Sequence, residues 1–263
     1  MTEMDEPLTK QAVRAAYGWG CEADWSVALT LIERAAAAGE HGADQQHRLL
    51  SQAPIEKLIL PPPVRSISNV SRIGVIEGFA PPGFSEWMID RALPDLAPSK
   101  LIDPDGRAVR TAHSTGFGPP KRDLILAVLQ ERASRIIHAP IAFHEPPVVI
   151  SYEPGQEFSM HVDFVNPVIP EFQEELQRLG QRTATFITYL NADFDGAETV
   201  FPDIGFKYRG SPGDALVFAN VLPDGTPDYK TSHCGLPPTR GRKWVLSQWI
   251  RSKPFPYTAK ALA

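Results

Sequence analysis

The sequence predicts an α+β fold with a mainly β core, flanking helices and an N-terminal helical extension. Two observations support this prediction. The second half of the chain has many short runs of β-branched and aromatic residues between turns rich in glycine, proline and aspartate, a pattern typical of a sandwich or barrel. The first part shows apolar residues at helical spacing instead. Between the short runs there is no regular helical pattern of the kind that a parallel sheet requires.

The composition limits the classes of protein to consider. A chain of 263 residues, 43% of them hydrophobic, has the length of one large domain or of one domain with a small companion. Its net charge of -5 lacks the basic excess of nucleic-acid-binding proteins, so we predict no nucleic-acid partner. Only two cysteines occur, and the chain starts with acidic residues, which predicts a cytoplasmic protein. No apolar run reaches the roughly 18 residues of a membrane span, and we predict no membrane partner.

The N-terminal extension is predicted over residues 1–60. Apolar residues at helical spacing begin after Asp24, a residue type that caps helices, and end before Gly39. Residues 18–39 are similar to one tetratricopeptide-like repeat, but a stack needs about three such units. We therefore interpret the extension as helices that pack on the main domain and offer a surface for a protein contact. Prolines between residues 54 and 64 mark the boundary.

The main domain, residues 61–263, is predicted to be built mostly from strands. An extended segment spans 67–79, and helical patterns span about 84–93 and 123–137. Further strands are predicted at 148–152, 158–164, 183–190, 198–201, 206–208, 215–220 and 244–251.

The strand predicted at 158–164 contains the most informative polar residues. Side chains alternate between the two faces of a strand, so His161 and Asp163 would project together, about 7 Å apart, from the face opposite the apolar residues. By itself this pattern also fits a solvated polar face. Seventy residues after Asp163 comes His233. Two histidines and one carboxylate form the facial triad that holds Fe(II) and leaves coordination positions open. Cys234 would point away from His233 on a strand, which argues against a closed zinc site.

With this order of residues, the chain resembles the Fe(II)/2-oxoglutarate-dependent dioxygenases, specifically the prolyl 4-hydroxylase catalytic domain, over about residues 70–252. The matching motifs are residues 152–158 leading into 161–163, then 182–185, 189–190, 196–202, 212–218, Asn220, Asp228, His233, Gly235, Gly241, 243–244 and Trp249. The resemblance implies that the β core is a double-stranded β-helix, or jelly roll.

The resemblance also implies roles for individual residues. His161, Asp163 and His233 would ligate iron and form the catalytic centre. Lys243 would pair with the distal carboxylate of 2-oxoglutarate, which agrees with the need of a buried carboxylate for a cation. Two further side chains, Tyr152 and Thr185, would contact the same cosubstrate. The implied cofactors are Fe(II), 2-oxoglutarate and O2, with ascorbate as an additional one.

Three residues are expected on the substrate side, namely Arg182, Arg110 and Trp249. Arg110 belongs to the stretch 109–114, which looks like the family's mobile substrate-covering loop, and residues 110–120 would form a lid. Where the family has a tyrosine three residues before the first metal histidine, this chain has Phe158, which removes a hydroxyl from the substrate side. The chain also inserts residues 166–180, with a helical run at 171–179, at a point where an insert can reshape the cleft.

The sequence therefore predicts a hydroxylase that depends on Fe(II) and 2-oxoglutarate and acts on a residue, prolyl or other, of a peptide or protein. Hydroxylation of a free amino acid or another small metabolite is the alternative within the same chemistry. Two alternatives belong to other classes: a jelly-roll binding module without catalysis, and a zinc-dependent hydrolase that uses the same ligands.

Overall fold

The computed structural model of the protein describes residues 6–102 and 108–257. The α-helices in these ranges are α1 (Leu8–Tyr17), α2 (Trp25–Ala37), α3 (Ala43–Leu50), α4 (Ile55–Leu58), α5 (Phe84–Ala92), α6 (Leu124–Ile137) and α7 (Gln173–Leu179). The strands are β1 (Arg65–Ser66), β2 (Ile73–Ile76), β3 (Ala97–Ile102), β4 (Ala108–Gly116), β5 (Val148–Tyr152), β6 (Phe158–His161), β7 (Arg182–Tyr189), β8 (Phe194–Gly196), β9 (Thr199–Phe201), β10 (Phe206–Tyr208), β11 (Ala215–Ala219), β12 (His233–Gly235), β13 (Pro238–Gly241) and β14 (Lys243–Arg251).

Twelve of these strands form one curled antiparallel sheet. Its order is β1-β2-β11-β7-β14-β5-β4-β6-β12-β9-β10, with β3 paired to β4 outside this path. β8 and β13 pair separately as a two-stranded sheet. The predicted mainly β core with flanking helices is confirmed. No helix in the described ranges is long and apolar enough to cross a bilayer.

Strand β14 shows how the sheet separates two hydrophobic cores. Lys243, Val245, Ser247 and Trp249 point to the inside of the curled sheet, where they line a pocket. The alternate residues, among them Leu246, point to the opposite face, which packs against the helices. The inner face therefore provides the walls of a pocket, while the outer face is anchored by helix packing.

The N-terminal helices share the outer core with the sheet. Apolar residues of α1 and α2 pack in the same cluster as those of α6 and the outer sheet face. A buried polar chain reinforces this packing: the Tyr17 hydroxyl donates to Gln130 Oε1 at 2.8 Å, and Gln130 Nε2 donates to Gln248 Oε1 at 2.6 Å. As predicted, the Asp24 carboxylate caps α2. The division at residue 60 and a partner contact through these helices stay predictions.

Two sequence-based expectations about local structure were wrong. The strand predicted at 158–164 ends at His161, and Asp163 lies in a bend beyond it, where its carboxylate accepts a hydrogen bond from Thr185. The stretch 109–114, expected as a mobile loop, lies within strand β4 and pairs with β3, β5 and β6. The glycines and prolines that suggested a lid over 110–120 begin only at Gly116, after the β-branched part of the segment.

Candidate active site

His161, Asp163 and His233 come together at one end of the curled sheet. His161 ends β6 and His233 begins β12, and the two residues are direct partners across this antiparallel pair. Asp163 Oδ1 lies 3.6 Å from His161 Nε2, and Asp163 Oδ2 lies 4.0 Å from His233 Nε2. One ligand atom from each residue lies within 4.8 Å of the others. Such a set of two imidazoles and one carboxylate fits an Fe(II) ion held from one side.

Backbone carbonyls fix the orientation of both imidazoles. His161 Nδ1 lies 2.8 Å from the Ser159 carbonyl oxygen, and His233 Nδ1 lies 3.0 Å from that of Thr231. A carbonyl oxygen can only accept, so each Nδ1 must carry the proton. The lone pair of each Nε2 is therefore free to face a metal ion, the arrangement common for histidine ligands in proteins.

The charges of the cluster also suit a cation. Burial, and secondly the neighbouring His233, lower the pKa of His161 to about 3, which keeps its imidazole neutral at neutral pH. Burial alone would raise the pKa of Asp163, but His233, His161 and Arg182 outweigh this effect and lower it. The cluster thus offers the neutral imidazole of His161 and the ionised carboxylate of Asp163, with Nε2 of His233 beside them.

A chain of two hydrogen bonds orients the Asp163 carboxylate. The Thr185 hydroxyl donates to Asp163 Oδ2 at 2.8 Å and accepts from Asn220 Nδ2 at 2.9 Å. Thr185 was predicted to contact 2-oxoglutarate. Thr185 does line the pocket, but its hydroxyl donates to the carboxylate of Asp163. Asn220 belongs to a motif in the sequence, yet its link to Asp163 was missed because it depends on three segments meeting in the fold.

Lys243 is a buried cation in the same pocket. Its residue is 3% exposed, and its ammonium group donates to the Ala197 carbonyl oxygen at 2.7 Å. Among residues 6–102 and 108–257, no carboxylate forms a salt bridge with it, and burial lowers its pKa to about 8. Tyr152, its partner across the β5–β14 pair, lies beside it. A buried ammonium group without an anion fits the distal carboxylate of a dicarboxylic cosubstrate.

The predicted substrate residues lie against the walls of the pocket. Arg182 forms a two-point ion pair with Glu145, at 2.6 and 2.9 Å, and its guanidinium lies 4.8 Å from the centre of the Trp249 ring. Trp249 lines the pocket, and its buried Nε1 has no hydrogen-bond partner within the described chain.

Phe158 lies between Arg110 and the metal-site histidine. Its ring is stacked on the His161 imidazole, with the ring centres 3.4 Å apart. The Arg110 guanidinium lies 5.3 Å from the Phe158 ring centre and donates to Ser99. Arg110 thus contacts Phe158, a residue of the pocket wall, but does not line the pocket itself.

The structure brings most of the predicted site residues together. The predicted residues that line the pocket directly are Tyr152, His161, Asp163, Thr185, His233, Lys243 and Trp249. Arg182 and Arg110 lie one side chain further away, behind Trp249 and Phe158. Glu145, which holds Arg182, was missed. The sequence does not mark Glu145 as part of the site, because its partner Arg182 lies 37 residues further along the chain.

Comparisons with known proteins agree with this geometry. The family model of the 2OG-Fe(II) oxygenase superfamily matches residues 147–251. Probable prolyl 4-hydroxylase 10 of Arabidopsis thaliana is 30% identical over 72% of this chain and 71% of its own length. Prolyl 4-hydroxylase 13 of the same plant is 27% identical over 73% and 76%. The 2OG complex of viral collagen prolyl hydroxylase vCPH from Paramecium Bursaria Chlorella virus-1 superposes with a TM-score of 0.55 at 26% identity, covering 69% of this chain and 96% of that one.

The curled antiparallel sheet and its pocket define a 2-oxoglutarate- and Fe(II)-dependent oxygenase with a double-stranded β-helix, as predicted. Within that class, the chain belongs to the prolyl 4-hydroxylase-like family. Fe(II), 2-oxoglutarate and O2 are the cofactors of this class, and the donor set of the pocket fits the first two.

Proposed function

We propose that this protein hydroxylates a prolyl residue within a peptide or protein substrate. The observation that carries the proposal is the convergence of a two-histidine, one-carboxylate cluster and an unneutralised buried lysine on one pocket. Its family membership supports the reaction class, and the names of the similar plant and viral enzymes support proline as the substrate residue.

The residues of the chain divide the work of such a reaction. Bound Fe(II) with 2-oxoglutarate and O2 supplies the oxidation of a C–H bond, while 2-oxoglutarate is converted into succinate and CO2. His161, Asp163 and His233 would hold the metal from one side and leave positions open for cosubstrate and oxygen. Lys243 would fix the distal carboxylate of 2-oxoglutarate by a charge-assisted hydrogen bond. The apolar wall provided by Ile150, Ile187 and Val245 limits the access of water.

The substrate side of the pocket suits a neutral apolar ring. The rings of Phe158 and Trp249 both line the pocket and offer flat surfaces to a pyrrolidine ring. Trp249 Nε1 is buried and has no hydrogen-bond partner among the described residues, so this wall holds one unused donor. Arg182 is already neutralised by Glu145, so this side does not require an acidic substrate.

The proposal is tested by incubating the protein with Fe(II), 2-oxoglutarate and a panel of proline-containing peptides. We expect a mass increase of about 16 Da on a proline, matched by succinate. The His161→Ala variant, which removes one metal ligand, is the blank. Free amino acids form a separate arm of the panel. Hydroxylation confined to that arm would refute the peptide substrate while leaving the reaction class intact.

Two further points are part of the proposal and rest on the sequence and the family alone. Ascorbate would sustain turnover by keeping iron in the ferrous state, which multiple-turnover assays with and without ascorbate would test. We also propose a cytoplasmic location, which the two unpaired cysteines support. Fractionation of cells that express the full chain would check it.

A further inference from the structure

The insert segment, residues 166–180, connects the chain after the pocket residue Asp163 to strand β7. It starts three residues after Asp163 and ends two residues before Arg182. Gln181 closes its base, because this side chain accepts from Val165 N and donates to Val165 O, both at 2.7 Å. The segment exposes the apolar side chains of Val168 and Phe172, which are 77% and 38% exposed. It is therefore a closed loop with helix α7 at its end and with apolar residues facing solvent.

Arg251, the last residue of β14, connects this segment to the sheet. The residue is 3% exposed, and three of its nitrogens donate to three different acceptors. Nη1 bonds the Gly180 carbonyl oxygen at 2.9 Å, Nη2 bonds Glu175 of helix α7 at 2.5 Å, and Nε bonds Glu145 at 2.5 Å. One buried guanidinium thus ties the helix, the end of the insert segment and Glu145 together.

Glu145 extends the connection to the substrate side of the pocket. The same carboxylate holds Arg182 through two hydrogen bonds, and Arg182 covers the ring of Trp249. The cluster contains two carboxylates, Glu145 and Glu175, and two guanidinium groups, so its charges balance. The position of α7 and the position of Arg182 therefore depend on the same set of ion pairs, which centre on the buried side chains of Arg251 and Glu145, while Glu175 and Arg182 are partly exposed.

The C-terminal end of the insert segment fits closely against the chain that follows β14. Gly180 has a φ of +69°, and a Cβ atom there would lie 2.3 Å from Ser252 Oγ. Lys253 Nζ donates to the Gln177 carbonyl oxygen at 2.6 Å. These contacts hold the last turn of α7 beside Arg251 and leave little freedom for the helix to move away.

We propose that Arg251 is a positioning residue that holds the insert segment as a fixed rim of the peptide-binding surface and keeps Arg182 aligned over Trp249. The inference rests on the proposed peptide substrate, and it assigns part of the substrate specificity to residues 166–180. Arg251 reaches neither the metal cluster nor Lys243. Its role should therefore appear in peptide binding and not in the binding of 2-oxoglutarate.

The test compares Glu175→Gln with Glu174→Gln in the full-length enzyme. Both variants remove one carboxylate from α7, but only Glu175 bonds Arg251, and Glu174 is exposed. We expect Glu175→Gln to raise the KM for a hydroxylated peptide about tenfold, with kcat and the KM for 2-oxoglutarate changed less than about twofold. In an Arg182→Gln background the same substitution should have no further effect on peptide KM, because the coupling runs through Glu145.

A second readout does not depend on catalysis. Hydrogen exchange of residues 173–179 should become about tenfold faster in Glu175→Gln and stay within about twofold in Glu174→Gln. Unchanged exchange in Glu175→Gln would overturn the positioning role, and so would faster exchange with an unchanged peptide KM. If the wild type hydroxylates no peptide, the proposed function fails, and the exchange data still decide whether Arg251 holds the helix.

Discussion

Lys243 and Arg182 are both cations beside one pocket, but among the described residues only Arg182 forms an ion pair with a carboxylate. Glu145 neutralises Arg182 by two hydrogen bonds and also receives Arg251. Within residues 6–102 and 108–257, Lys243 donates to the Ala197 carbonyl oxygen at 2.7 Å and to the Thr199 hydroxyl at 3.5 Å, and burial lowers its pKa. One cation is satisfied by the protein itself, and the other still lacks an anion.

This difference separates two kinds of recognition in the same pocket. A buried ammonium group without an anion gains most from a ligand that carries a carboxylate. A guanidinium held by a glutamate gains little from another anion, and it serves to fix the aromatic surface that it covers. We therefore expect 2-oxoglutarate to bind on the Lys243 side and a neutral part of the substrate to bind on the Arg182 side.

The largest effect is expected from His161→Ala, because this substitution removes one of the three metal ligands on which the reaction depends. We expect a loss of activity of at least about a thousandfold and no visible absorption band when Fe(II) and 2-oxoglutarate are added without oxygen. His41→Ala, which changes an exposed histidine in the helical extension, is the control. Succinate formation by folded His161→Ala at the wild-type rate would remove the metal cluster from the mechanism.

The next effect compares the two cations directly by Lys243→Gln and Arg182→Gln. Loss of a buried charge-assisted hydrogen bond costs about 3 kcal/mol, so Lys243→Gln should raise the KM for 2-oxoglutarate about a hundredfold. Arg182→Gln should leave that KM within about twofold and raise the KM for the peptide. Steady-state kinetics with each substrate varied in turn gives both values. An equal rise of the KM for 2-oxoglutarate in the two variants would show that Lys243 has no special role in binding this cosubstrate.

A smaller effect is expected from Thr185→Val, which keeps the size of the side chain and removes the hydrogen bond to Asp163. Loss of such a supporting contact lowers metal affinity about 10- to 100-fold. The affinity for Fe(II) can be measured by anaerobic titration. The control is Thr183→Val on the same strand, whose hydroxyl donates to the Ile250 carbonyl oxygen and not to a metal-site residue. If Thr185→Val binds Fe(II) with wild-type affinity, Asp163 does not need the hydrogen bond from Thr185 to bind the metal.

The affinity for 2-oxoglutarate should fall as the pH rises through about 8, where Lys243 loses its proton in the free protein. Only the charged ammonium form pairs with a carboxylate, so the dissociation constant should rise by up to about tenfold per pH unit above that value. Calorimetric titration between neutral and alkaline pH measures this dependence. 2-Oxobutanoate, which lacks the distal carboxylate, should show a weaker dependence, and identical curves for both ligands would exclude Lys243 as the cause.

The smallest effect is expected from Phe158→Tyr, which restores the hydroxyl that the family usually has at this position. The ring is held between Arg110 and His161, so its place in the pocket should not change. One neutral hydrogen bond changes the peptide KM by about fivefold at most, and the KM for 2-oxoglutarate should stay constant. A large change in the KM for 2-oxoglutarate would place Phe158 on the Lys243 side of the pocket.

The sequence was sufficient to predict the residues that converge on the pocket, because strand alternation and motif order determine them. His161, Asp163, His233 and Lys243 lie in one pocket as expected, although Asp163 reaches it from a bend and not from the strand. Their roles stay predictions until the variants are measured. The fold class was predictable because many short β-rich runs lie between turns rich in glycine, proline and aspartate.

The residues that support the site could not be predicted, because their partners lie far away along the chain. Arg251 bonds Glu145, which lies 106 residues earlier, and Asn220 bonds Thr185, which lies 35 residues earlier. Such pairs have no local pattern. Strand β4 was mistaken for a loop for a different reason: residues 109–114 look like the family's mobile loop, and glycines and prolines follow directly after them.

The hydrogen bonds from Tyr17 through Gln130 to Gln248 bear on any attempt to isolate the catalytic part of this chain. Gln248 Nε2 donates onward to the backbone carbonyl oxygens of Glu145 and Trp249, so the series that begins in α1 ends at the substrate wall. A truncated protein that starts at the prolines between residues 54 and 64 would lose Tyr17. Gln130 Oε1 would then lack its hydrogen-bond donor in an apolar interior. A minimal oxygenase made from this chain should therefore keep the first helices, which supply the Tyr17 hydroxyl.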